Sequence, residues 1–156
     1  MKPRRRGRTA RREPAIHISV EVRDGAHAAA VVRAAARQQL AALRVSRELS
    51  LTLVSDRRMR ALNRRWRGKD RSTDVLSFPQ DGASVGDVII SLDTARKQAR
   101  DGGWPLSTEL RRLLAHGVLH CLGHDHHDRA SARRMAAAER RLLGRDGLIG
   151  QSFSTT

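Results

Sequence analysis

The stretch HGVLHCLGHDHH, residues 116–127, holds five of the chain's seven histidines within twelve positions. With the apolar spacing of STELRRLLA before it, residues 107–122 read as one helix. Ser107 or Thr108 can cap its start, and Gly123 can end it as the residue past the C-cap. His116 and His120 then project from one helical face with Cβ atoms about 5–6 Å apart. Two imidazoles so placed can close on one zinc ion at ~2.0–2.1 Å each. Gly123 lets the backbone turn back, and His126 completes the spacing H-x-x-x-H-x-x-G-x-x-H. Three imidazoles leave the fourth tetrahedral position to water, the pattern of a catalytic rather than a structural zinc. His124 and His127 compete with His126 for the third place. The alternative is a surface cluster: a helical pair of histidines arises by chance often, but a third at this offset after a helix-ending glycine does so far less. Cys121 points about 100° away from His120 around the helix and reads as a packing residue. Imidazole spacing does not by itself fix zinc over nickel or another such ion.

Gly117 bears on the chemistry. In zinc peptidases with this spacing, the residue after the first histidine is a glutamate that takes the proton from water. Glycine has no acceptor, so that mechanism lacks its base here. A phosphodiester brings charged oxygens of its own, and a nearby arginine can stabilise the charge that builds on phosphorus. Zinc without the glutamate, on a positive surface, therefore suits phosphoryl chemistry better than amide hydrolysis.

That surface follows from composition. Basic residues number 31 against 16 acidic, for a net charge of +15. Arginine dominates, and part of that bias fits a GC-rich genome. A pI near 11.7 still implies a field that attracts polyanions, nucleic acid first among them. The plain alternative is a solvated arginine-rich face. At 156 residues the chain fits one domain, which at this size needs no metal merely to fold. The single cysteine excludes an internal disulfide framework and fits a reducing compartment. No apolar run approaches the ~20 residues of a membrane span, and no apolar segment follows the basic amino terminus as in a secretory signal. The expectation is a cytoplasmic protein with no membrane association.

Residues 1–14 read as a basic, disordered arm and 146–156 as a flexible tail, with one folded domain over 15–145 between them. In AIHISVEV, Ile16, Ile18, Val20 and Val22 alternate as in a half-buried strand, with His17 on the other face. Residues 26–43 read as a helix, 47–55 as a second alternating strand, and Asp56 as the N-cap of a helix with Met59 and Leu62 inside. DVLSFP is a short strand, and VGDVIISL, 85–92, a central strand covered on both faces. Asp93 reads as the cap of a short helix and Asp128 as the cap of a last helix that Gly144 closes. The fold class is α+β: a mixed, mostly parallel sheet of about four strands packed with about five helices, one of them a zincin-like metal helix.

HGVLHCLGHDH resembles the signature H-G-x-L-H-L-x-G-Y-D-H of the YbeY-type endoribonucleases, bacterial rRNA-maturation factors. LNRRWRGKDRSTDVLSFP, 62–79, is similar to the family's L-N-x-x-Y-R-x-x-D-x-x-T-D-V-L-S-F-P, and VGDVIIS, 85–91, to its L-G-D-I-x-I-S. The three blocks stand in the family's order, and the resemblance covers residues 16–143. It implies that His116, His120 and His126, rather than His124 or His127, hold one zinc ion per chain. It makes Arg67 the basic residue of the metal cleft, contacting the scissile phosphate. Asn63, Asp70, Asp74 and Ser77 also match motif positions; for Asp74 and Ser77 a turn or strand-end role is favoured. Trp66 and His124 depart from the family pattern, each standing where tyrosine is usual. The resemblance implies a single-strand-specific, metal-dependent endoribonuclease acting in rRNA maturation, at the 16S 3′ end, and in ribosome quality control. Its partners would be single-stranded rRNA, ribosomal subunits and assembly factors. His124 and Asp125 are local candidates for acid and base, and Asp125 equally for orienting a ligand imidazole. The competing readings are a ribosome-associated binding protein with a purely structural zinc, and a metallopeptidase.

Overall fold

Leu49, Leu51 and Leu53 are buried while Ser50 and Thr52 between them stay half-exposed, so this strand has one dry face and one wet one. The computed structural model describes residues 12–144. Its elements are β1 (Ile16–Val20), α1 (Ala26–Ala42), β2 (Glu48–Val54), α2 (Asp56–Arg67), β3 (Val75–Pro79), β4 (Ser84–Ser91), α3 (Leu92–Gly102), α4 (Leu106–Cys121) and α5 (Arg129–Leu143). The strands form one sheet in the order β1-β2-β4-β3. β1, β2 and β4 run parallel, and β3 returns antiparallel to β4 as an edge. The α+β class and the mostly parallel sheet are as the sequence predicts. Apart from residues 12–14, the expected arm, like the expected tail, lies outside the described residues.

The main core lies between one sheet face and helices α1 and α4. Val32, Ala36 and Leu40 of α1 meet Leu49, Leu51 and Leu53 of β2, Val88 and Ile90 of β4, and Leu110, Leu114 and Val118 of α4. On the opposite face Met59 of α2 packs with Val54 and Leu76, and Leu62, Phe78 and Ile89 close around them. β4 is therefore covered on both sides, as its mostly apolar run predicts. On the far side of α4, Ala115 and Leu119 meet Met135, Ala138, Leu142 and Leu143 of α5. α4 is thus gripped by the sheet and by α5, which holds its two histidines on a rigid element.

Three helix starts differ from expectation. Ser55, not Asp56, caps α2, its side chain accepting from Arg58 N. Ser91, not Asp93, caps α3 by accepting from Thr94 N. The two aspartates are engaged across the structure instead. Asp56 Oδ1 accepts from Ser72 Oγ (3.0 Å), Ser91 Oγ (2.5 Å) and Thr94 Oγ1 (2.5 Å), while Asp93 Oδ2 accepts from Asp56 N (2.8 Å). Pro105 rather than Ser107 or Thr108 is the N-cap of α4. Asp128 does cap α5, accepting from Ser131 N at 2.7 Å. β1 stops at Val20, which is exposed at the strand end, so Val22 lies past it. No helix of the described residues is long and apolar enough to cross a membrane.

Candidate metal centre

The end of α4 builds the site. Leu122 is the C-cap, and Gly123 takes φ +94°, a left-handed conformation in which a side chain would be strained. Gly123 N donates to His120 O and His124 N to Leu119 O, each at 3.0 Å, closing the helix with a paired reverse turn. Residues 124–127 therefore double back over the last turn. His127 N donates to Asp125 Oδ1 at 3.2 Å, which fixes the following bend.

Three imidazoles gather there. The Nε2 atoms of His116 and His120 face each other at 3.1 Å. The ring of His126 lies 5.3 Å from that of His120 and 6.1 Å from that of His116, centre to centre. Among the described residues no group of three or more His, Cys, Asp or Glu is placed to hold a metal ion as the side chains stand. The facing pair nonetheless passes a direct test, because bonds of ~2.0–2.1 Å at a tetrahedral angle place two nitrogens about 3.3 Å apart. His126 is exposed on its turn, so its ring can rotate toward the pair.

The pair is held in the form a metal needs. His116 Nδ1 lies 3.1 Å from Glu139 Oε1, a carboxylate on α5, so the opposite nitrogen is the one directed at His120. Burial, and then the proximity of His116 and His126, pushes the His120 pKa down to about 4, keeping that ring neutral at physiological pH. A hydrogen bond with the His124 backbone acts weakly against this and anchors the same ring. Glu139 was not among the sequence-derived candidates; the only hint is the general need of a ligand histidine for an acceptor behind it. Asp125, offered for that role, is instead bonded to His127 N.

Gly117 faces the sheet. A Cβ there would stand 2.7 Å from Val88 Cγ1 and 3.3 Å from Val75 Cγ2, so α4 approaches β3 and β4 closely because it has no side chain at this point. Cys121 is buried on the same side. Burial, followed by the charge of Asp87, raises its pKa to about 11, and it bonds the backbone of Phe78. It packs, as expected, and is no thiolate ligand.

Arg67 sits across β3. Its Nη2 donates to Ser77 O at 2.9 Å, and its guanidinium lies 5.2 Å from the centre of the Phe78 ring. These contacts go to the edge strand rather than to the histidines. Ser77 and Phe78 thus connect the two sides: Arg67 touches both residues from α2, while Cys121, next to His120, reaches Phe78 from α4. The other motif positions serve the loop from α2 to β3. Asn63 is buried and donates to Arg71 O at 2.9 Å, Asp70 pairs with Arg60 on the surface, and Asp74 Oδ1 accepts from Val75 N at 2.8 Å.

Comparison with known proteins places the chain in a family. The family model for Endoribonuclease YbeY matches residues 15–146. The chain is 52% identical over 144 residues to an Endoribonuclease YbeY of Anaeromyxobacter dehalogenans, covering 88% of this chain and 75% of that one. It is 47% identical over 148 residues to the Endoribonuclease YbeY of Myxococcus xanthus, spanning half of that protein's length (50%) and 88% of its own. The fold resembles the solution structure of TM1509 from Thermotoga maritima, with TM-score 0.57 and 22% identity over 89% of this chain and 96% of that one. With a family model matching residues 15–146 and a relative 52% identical over 144 residues, the chain belongs to the YbeY family of endoribonucleases.

Proposed function

We propose that this endoribonuclease is metal-dependent and cuts single-stranded ribosomal RNA, acting in the cytoplasm in 16S 3′-end maturation and ribosome quality control. The observation that carries the reading is the facing imidazole pair, 3.1 Å apart, on a helix whose end returns a third imidazole. A zinc ion held by His116, His120 and His126 would supply a Lewis acid for a phosphodiester oxygen and lower the pKa of attacking water.

The chain's own residues do the rest. Glu139 aims His116, and burial keeps the His120 lone pair available. Arg67 offers a planar, permanently charged guanidinium to the scissile phosphate, and its anchor on Ser77 leaves other N–H donors for that contact. His124, half-buried on the turn, is the candidate imidazole for moving a proton, while His127 stands exposed beyond it. The net charge of +15 suits single-stranded RNA, ribosomal subunits and their assembly factors as partners.

The test is cleavage of one RNA sequence as single strand and as duplex, with metal content measured in parallel. The expected result is cleavage of the single strand, stopped by chelation and abolished in His116→Ala and Arg67→Ala proteins with unchanged circular dichroism. Full cleavage by metal-free His116→Ala protein would sink the metal-dependent mechanism. RNA binding without any cutting by metal-loaded protein would instead favour a metal that only braces the fold.

A further inference from the structure

Trp66 has an exposed indole, 57% accessible, in a chain with only two exposed large hydrophobic residues among those described. It is not loose. The edge of Phe78 meets it with ring centres 6.3 Å apart and planes at 68°, and the Arg65 guanidinium lies 5.1 Å from its ring centre. The last turn of α2 that carries it also carries Arg64, Arg65 and Arg67. The nearest acidic residue in sequence, Asp70, is engaged by Arg60. An exposed, oriented indole with one guanidinium over its ring and a second, Arg67, over the adjoining Phe78 ring matches a strand that alternates flat bases with phosphates.

We propose that Trp66 is a stacking subsite for one unpaired base of the substrate strand, with Arg65 and Arg67 taking the phosphates on either side. The proposal rests on the reading of the protein as an RNA-cutting enzyme and adds where that RNA is gripped. Phe78 gives the subsite its place: it supports the indole, lies under the Arg67 guanidinium, and receives Cys121 from the histidine-bearing helix. A base on Trp66 therefore sits beside the strand that separates Arg67 from the imidazoles. Duplex RNA keeps its bases stacked on one another and cannot use such a platform, so the subsite also supplies a preference for single strands.

The experiment titrates the full-length protein with oligouridylate and oligoadenylate, checking oligonucleotide integrity by gel, and reads both indole fluorescence and binding. Expected are quenching in the wild type that disappears in Trp66→Phe, and an affinity about 5- to 100-fold weaker in Trp66→Ala. Trp66→Phe should keep most of the affinity, and neither change should move the melting temperature. Inorganic polyphosphate and duplex RNA should bind without quenching. Unchanged affinity in Trp66→Ala, or equal quenching by polyphosphate, overturns the subsite while leaving RNA cleavage by the wild type intact. A wild type that neither binds nor cuts RNA overturns the subsite and the nuclease reading together.

Discussion

Glu139 Oε1 stands 3.1 Å from His116 Nδ1, joining the last helix to the imidazole pair at the end of α4. The contact fixes the direction of the ring, which cannot rotate without losing its acceptor, and so would aim His116 Nε2 at the proposed metal. Glu139→Ala should weaken zinc or nickel binding by about 10- to 100-fold, and Glu139→Gln by less, because an amide oxygen still accepts. Competition with a chromophoric chelator measures both. Equal affinity in all three proteins would show that the contact does not orient the ligand.

The third ligand is decided by comparing three neighbours. His126→Ala should lose bound metal as His116→Ala and His120→Ala do, whereas His127→Ala should retain it. Metal content after dialysis against limiting chelator distinguishes these, and loss in His124→Ala alone would move the assignment to that ring.

Gly117 should tolerate nothing larger. A methyl at that position meets Val88 at 2.7 Å, and overpacking of this kind costs about 1–3 kcal/mol. Gly117→Ala should lower the urea midpoint accordingly, and Gly117→Glu should fold poorly and gain no peptidase activity.

Asp56 carries a pH signature. Burial works to raise its pKa, but hydrogen bonds from Ser91, Thr94 and Ser72 hold it below the usual carboxylate value. Its stabilisation is therefore complete above an unfolded value of about 3.9 and is lost as pH falls through the lower folded one. At neutral pH Asp56→Asn should be less stable than the wild type, and urea titrations at decreasing pH should show that gap closing below pH ~4.

The same residue shows why some of the structure was hidden in the sequence. Ser55 and Asp56 are both acceptable caps, and local chemistry cannot rank them. The choice is made by Ser72, Ser91 and Thr94, which lie 16, 35 and 38 residues away. α4 and the turn at Gly123 were legible because their signals are local: histidines four apart, then a glycine. Glu139 was not, being 23 residues from His116 in a helix whose spacing marks only its apolar face. The sequence accounts for half of what Gly117 does. Its missing carboxylate is real, yet a side chain there has no room against Val75 and Val88, whatever the chemistry. Only the resemblance singles out Arg67, since nothing in an arginine-rich helix sets one guanidinium apart.

The edge position of β3 has a consequence for solubility. An outer strand with open carbonyls is a template for pairing with another chain. Here the Ser77 carbonyl is covered by Arg67, and the strand ends in Pro79, which has no N–H to offer. The arginine assigned to the substrate phosphate thus also guards the molecule against edge-to-edge self-association. Proteins lacking Arg67 should be compared with the wild type only on their monomeric fractions, because aggregation would otherwise be counted as lost chemistry.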